Sequence, residues 1–305
     1  MYETYYGLAE RPFDLSPNPR FLCFTAQHRE ALAHLEYGLA GRPGITVIVG
    51  EAGTGKTTLV RKALQAATGE ATVVHLLNPT LTRAEFYECL VNGFGFTTEA
   101  MRSKTQFLRE LEAHLADESK PRLALVVDEA QSVPYELLEE IRLLTNTEST
   151  SGRSIALALV GQPELARRLD EGRLRQLKQR VVLRCALTPL TLKDTAAYIT
   201  GRVHTAGGEA VRLFTRDAVI AIHRQSKGIP RVISVICDNA LVSGFAADQR
   251  PVGANIVEEV CKSLALLLEQ RPAESAPGEV PPAATPAATS APMFADVGRR
   301  RFSFF

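Results

Sequence analysis

The chain has 305 residues, 45% hydrophobic and 23% charged, enough for one large globular domain or two modest ones. Its formal net charge of +1 excludes a chain-wide basic footprint for nucleic acid and leaves only local patches open. Five scattered cysteines without a C-x-x-C pair argue against a disulfide frame or zinc site. The start MYETYYGLAERPFD carries no leader, and no apolar run nears the ~20 residues of a membrane helix, so a cytoplasmic protein is expected.

Residues 1–25 are dense in aromatics and in Pro12, Pro17 and Pro19, which predicts an extended strap. It either covers part of the core or supplies an apolar wall for a bound base. HREALAHLEYGLA has Leu32, Leu35 and Leu39 at helical spacing, with Thr25 or Gln27 near its N-cap. Gly41-Arg-Pro-Gly44 stops that helix.

The stretch 45–58, ITVIVGEAGTGKTT, organises the rest. An apolar β-branched run breaks at Gly50 into a glycine-rich turn and then a helix, matching G-x-x-x-x-G-K-[ST] in strand–loop–helix context. Gly50, Gly53 and Gly55 free the backbone so that N–H groups of Glu51, Ala52, Gly53, Thr54, Gly55 and Thr58 can face a phosphate. Lys56 can reach the β- and γ-phosphates, and the Thr57 hydroxyl can ligate Mg²⁺. A nucleotide-binding protein is expected, with ATP and Mg²⁺ as cofactors.

ATVVHLLNP reads as the next strand, and TRAEFYECLVNGFG and KTQFLRELEAHLADE as helices on the sheet. Residues 123–127 form a wholly apolar run, as expected for a buried parallel strand, and Asp128-Glu129 stand at its carboxyl end. There Asp128 would hold Mg²⁺ and Glu129 would polarise the attacking water as general base. VPYELLEEIRLLTN follows as an amphipathic helix. SIALALVGQPEL is a further buried strand ending near Gln162, the candidate for sensing a γ-phosphate.

The basic run 167–180 reads as a helix. An arginine just before the next strand, VVLRCAL, can project toward a neighbouring subunit's nucleotide, and both Arg180 and Arg175 are candidates for that trans finger. From Thr188 the pattern turns to helices alone, a small all-helical second domain. Arg231 stands at a helix start, where the dipole disfavours a cation, so an anionic partner is expected: the γ-phosphate. From 271 the chain is rich in Pro and Ala and is expected to be a disordered tail ending in Arg299–Arg301, Phe302, Phe304 and Phe305.

YYGLAERPFDLSPNPRFL, HREALAHL, GEAGTGKTT, HLLNPTL, VVDEAQ, LVGQPEL, LRQLKQRV and GIPRVIS together resemble the AAA+ ATPases of the ExeA type, the general secretion pathway protein A family, over roughly residues 1–268. The resemblance implies an α/β P-loop core, a parallel sheet with helices on both faces, followed by a helical lid. The expected division is a strap at 1–25, the nucleotide domain at 26–188, the lid at 189–269 and the tail at 270–305. It also implies an ATP-driven oligomer with Lys56, Thr57 and Asp128 at the metal, Glu129 as base, Gln162 and Arg231 as sensors and Arg175 or Arg180 as finger. Secretion members continue through a membrane helix into a peptidoglycan-binding region, where this chain has its Pro/Ala tail. The leading expectation is a cytoplasmic ATPase assisting assembly of an envelope machine for secretion, pili or polysaccharide export, with a peripheral place at the inner face of the membrane as a variant of that expectation. A DNA-linked ATPase resembling transposition regulators and a nucleotide-gated binding module with negligible turnover are the alternatives.

Overall fold

Five parallel strands carry the molecule: β1 Ile45–Gly50, β2 Ala71–Leu76, β3 Arg122–Val127, β4 Ala156–Gly161 and β5 Val181–Leu187. Their order in the sheet is β2-β3-β4-β1-β5. This computed structural model describes residues 1–16, 19–21, 25–40, 44–147, 149 and 152–269. Met1–Ala265 form one compact unit, which holds the sheet and the whole of the site described below. Cys23, Pro17, Phe24, residues 41–43 and the expected tail from 270 lie outside the described residues.

The apolar runs become central strands because both sheet faces are covered. Along β1 and β3, Ile45, Val47, Val49, Leu123, Leu125 and Val127 face one way, while Ile48, Ala124 and Val126 face the other, the two-residue period of a strand. The first face packs against α4 Arg83–Phe94, α6 Lys104–Ala116, α7 Tyr135–Leu144 and α8 Pro163–Leu169, which contribute Leu90, Phe107, Leu138 and Leu165. The second face packs against α2 Ala26–Leu39 and α3 Lys56–Ala66, whose Leu35 and Leu59 meet the small side chains of Ala124, Ala156 and Ala158. Leu125 is fully buried, and its truncation to alanine costs about 2–5 kcal/mol.

The parallel register brings three strand ends to one edge. Val49 pairs with Gly161, whereas Val127 at the end of β3 pairs with Leu159, before the end of β4. The residues just after β1, β3 and β4 therefore all emerge at the carboxyl edge of the sheet, those of β3 set slightly back. That edge is where open α/β sheets hold ligands.

Beyond the sheet come α10 Leu192–Thr205, α11 Ala210–Leu213, α12 Arg216–Ser226, α13 Pro230–Ala246 and α14 Ala254–Glu269. Their buried core, with Ile199, Val203, Ile222, Ile236 and Leu241, also takes in Tyr2, Tyr6, Leu8, Phe13 and Phe21. The N-terminal segment therefore packs on the helical part.

Two local expectations are corrected. Residues 2–6 are a helix, α1 Tyr2–Tyr6, not extended chain, and Pro19–Phe21 make a 3₁₀ turn. The prolines begin at Pro12 and put no constraint on α1. It ends at Gly7 with φ 70° and is held by Tyr2 Oη donating to Asp238 (2.5 Å) and Tyr5 Oη to Asp248 (3.0 Å). The basic run is not one helix: α8 stops at Leu169, a 3₁₀ turn covers Gly172–Leu174, and α9 spans Arg175–Gln179. The breaks let Leu169, Leu174 and Leu177 all reach the core. A short α5, Thr98–Arg102, had no legible period. Thr25, rather than Gln27, caps α2, accepting from the His28 N–H.

Candidate nucleotide site

The loop after β1 is shaped by two different glycine requirements. Gly53 and Gly55 have φ of 83° and 98°, in the left-handed region that penalises a Cβ. Gly50 has no such φ and is required for space, since a Cβ there would lie 2.8 Å from Thr54 Oγ1 and 2.9 Å from the Leu187 carbonyl oxygen. Lys56, the first residue of α3, is only 5% exposed and folds back to donate to the carbonyls of Gly50 (2.8 Å) and Glu51 (3.1 Å). Burial pushes its pKa below the ordinary lysine value, against the opposing pull of Glu129, Asp128 and Glu51.

One residue further, the Thr57 hydroxyl donates to Asp128 Oδ2 at 2.7 Å. Asp128 is 2% exposed, and its other oxygen accepts the Glu129 N–H at 2.9 Å. Glu129 has φ 50°, a left-handed conformation costing a non-glycine residue about 1–2 kcal/mol. Its carboxylate accepts from Gln131 Nε2 (2.6 Å) and Gln162 Nε2 (3.1 Å). Burial alone pushes this carboxyl up. The two amide donors and the Lys56 charge outweigh burial and hold it below the usual glutamate range.

A cleft of about 450 Å³ opens above these groups. Its wall includes Ala52, Gly53, Thr54, Gly55, Lys56, Thr57, Thr58, Glu129 and Arg231, and the Arg231 N–H donates to the Gly53 carbonyl at 3.1 Å. Gly50, Glu51, Asp128 and Gln162 stand one hydrogen bond behind that wall. Arg175 and Arg180 do not line it. Both are exposed, and Arg180 donates to Asn146 Oδ1 at 2.7 Å.

Three residues here escaped the sequence reading. His28 is buried, with Nε2 3.1 Å from the Thr54 carbonyl oxygen and Nδ1 2.6 Å from Thr25 Oγ1. Arg202, 8% exposed, donates to Tyr198 Oη (2.5 Å), Ser234 Oγ (3.0 Å) and the Asp14 carbonyl (3.1 Å), and lies over the Phe21 ring. Its Nε, inside the cleft wall, has no hydrogen-bond partner among the described residues. The Tyr198–Arg202 spacing of four, one face of α10, was its one sequence signal. Gln131 joins the ends of β3 and β4, a contact between residues 31 apart that no local pattern announces.

Residues 40–169 match the family model described as an AAA domain. General secretion pathway protein A of Aeromonas hydrophila is 40% identical over 250 residues, covering 81% of this chain and 45% of that protein. The chain carries an AAA domain and is a relative of general secretion pathway protein A. It spans about half the length of that relative. Among solved structures, Cdc6p from Pyrobaculum aerophilum superposes with a TM-score of 0.62 at 18% identity, covering 86% of this chain and 74% of that one. The ORC2 protein of Aeropyrum pernix, in ADPNP–ADP complexes, gives 0.61 at 17%, covering 83% and 71%. Both likenesses show the fold: an AAA-type P-loop core followed by helices. No helix of the described residues is long and apolar enough to cross a membrane. The matched AAA span holds Gly50 to Thr58, Asp128, Glu129 and Gln162, and ends before Arg175, Arg180, Arg202 and Arg231.

Proposed function

We propose that this AAA-domain protein binds ATP with Mg²⁺ in the cleft and hydrolyses it, as an oligomeric switch assisting assembly of a cell-envelope machine from the cytoplasmic side. The observation that carries the chemistry is the Thr57–Asp128 contact beside the Glu129 carboxylate, at the carboxyl edge shared by β1, β3 and β4. Hydroxyl and carboxylate oxygens are the hard donors Mg²⁺ takes, and the ion needs only one or two of them beside water and phosphate. When bound, it neutralises charge on the β- and γ-phosphate oxygens.

Each remaining residue has one task in this reading. The backbone N–H groups of 51–58 and the start of α3 cradle the phosphates. Lys56 exchanges its two carbonyl acceptors for phosphate oxygens. Glu129 takes the proton of the attacking water, and Gln162, bonded to the same carboxylate, reports the γ-phosphate. Arg231 brings the helical part onto the nucleotide. Arg175 or Arg180, exposed on the outer face, reaches a neighbouring subunit's γ-phosphate. The domain division that goes with this is a strap at 1–25, a nucleotide domain at 26–188 and a lid at 189–269. Leu15 and Phe21 also line the cleft and would supply an apolar wall for the base. Kinship with general secretion pathway protein A supports the envelope role.

The test is Mg²⁺-dependent phosphate release by the wild type and by Glu129→Gln. The variant is expected to bind ATP as tightly as wild type and to lose about 10²–10⁴-fold in turnover. Unchanged turnover in Glu129→Gln, or none in the wild type at any protein concentration, would overturn the assignment.

A further inference from the structure

Glu129 does not stand alone at the end of β3. The Gln131 side chain uses both ends of its amide: Nε2 donates to Glu129 Oε2 at 2.6 Å, and Oε1 accepts the Gln162 N–H at 2.9 Å. Gln162 in turn donates its own amide to the same Glu129 oxygen at 3.1 Å. The three residues close a ring of hydrogen bonds joining the ends of β3 and β4. Because both donors meet Oε2, the other carboxylate oxygen is not engaged by them.

Two further observations show that the surroundings fit this amide. At Gly161, the last residue of β4, a Cβ would lie 2.7 Å from Gln131 Oε1, so the strand end is cut back where the amide sits. From behind, Arg168 of α8 donates to the carbonyls of Gln131 and of Val133 (2.8 Å). Its guanidinium lies 4.5 Å from the centre of the Tyr135 ring. The loop that carries Glu129 is thus held at its backbone by α8 and at its side chain by Gln131. This matters because Glu129 occupies a left-handed backbone conformation that local preference does not supply.

We infer that Gln131 is a positioning residue for hydrolysis: its amide fixes the Glu129 carboxylate in one orientation and ties that orientation to Gln162. The inference rests on Glu129 acting as the base. Positioning of this kind acts on the reacting geometry and leaves nucleotide affinity alone, because Gln131 does not line the cleft.

The experiment is steady-state ATP turnover with Gln131→Met, Gln131→Ala and Gly161→Ala, each alone and combined with Glu129→Gln, with ATP affinity measured separately. Gln131→Met keeps the side chain's volume and removes both amide contacts, so it separates bonding from packing. The expected result is a kcat lowered about 10–100-fold in both Gln131 variants and in Gly161→Ala, with KM and ATP affinity within twofold of wild type. In the Glu129→Gln background the Gln131 substitutions are expected to cost nothing more. Wild-type or raised kcat in Gln131→Met, a KM that moves with kcat, or full additivity with Glu129→Gln would each overturn the role of Gln131. If Gln131→Ala fails to fold, Gln131→Met and Gly161→Ala still decide. Normal turnover in Glu129→Gln alone would instead overturn the underlying base assignment.

Discussion

Thr57 Oγ1 donates to Asp128 Oδ2 across 2.7 Å, joining the first turn of α3 to the end of β3. The two residues are 71 apart in sequence, and it is the parallel register of β1, β4 and β3 that brings them together. Removing either oxygen removes half of the proposed Mg²⁺ donor pair. Thr57→Ala and Asp128→Asn are each expected to abolish Mg²⁺-dependent turnover while leaving Mg²⁺-free nucleotide binding within a few-fold of wild type. Nucleotide titrations with Mg²⁺ and with a chelator check this. Lys56→Ala should lose binding under both conditions.

Gly53→Ala tests the loop itself. A methyl group there meets Arg231 Cβ at 2.7 Å and must sit at φ 83°. The expected cost is more than about 1 kcal/mol, a fall of a few degrees in melting temperature, together with weakened ATP binding. Gly69→Ala has a comparable φ of 90° but open space, so it should cost less and leave binding unchanged.

Arg231 and Arg202 line the same cleft and should fail differently. Arg231→Ala is expected to lower the preference for ATP over ADP, because its proposed contact is the γ-phosphate. Arg202→Met breaks the tie between α10, Ser234 and the Asp14 carbonyl. It should weaken ATP and ADP alike, about tenfold or more, and leave their ratio unchanged. Paired calorimetric titrations with the two nucleotides distinguish these outcomes.

How much of this was legible follows from range. The phosphate loop, the apolar strand ending in Asp128-Glu129, and the switch from strands to helices after 188 are contiguous patterns, and the fold followed them. The helix at Tyr2–Tyr6 was hidden because its stability comes from tyrosine contacts to Asp238 and Asp248, over 200 residues away. Gln131 and Arg202 were hidden for a related reason: beside their near partners Glu129 and Tyr198, each bonds residues on distant elements, Gln162 for Gln131 and Ser234 and Asp14 for Arg202. Gly50 was legible as necessary, but for the wrong reason, since its neighbours Thr54 and Leu187 restrict it rather than its φ. Arg175 and Arg180 are alike in the sequence, both basic and both shortly before β5, and both are exposed.

His28 gives the site a pH dependence. Burial pushes its pKa below the ordinary histidine value, outweighing the hydrogen bond to the Thr54 carbonyl and the pull of Asp194. The unfolded chain therefore takes up the proton first, and stability present above pH ~6.5 is lost as pH falls through the lower folded value. His75 shifts the same way, also through burial, and contributes a separate share. Melting temperature should drop between pH 7 and pH 5.5, and His28→Gln should shrink that drop without removing it.

The most direct test of the account is specific ATPase activity against protein concentration, with and without double-stranded DNA, for the wild type and for an equimolar mixture of Arg175→Ala/Arg180→Ala with Glu129→Gln. An active site completed by a neighbouring subunit predicts activity per molecule that rises with concentration and ignores DNA. The double arginine variant should be inactive alone and regain turnover in the mixture, where Glu129→Gln subunits supply the fingers. Activity per molecule that stays flat with dilution, or full turnover by the double arginine variant alone, would contradict the subunit-shared site.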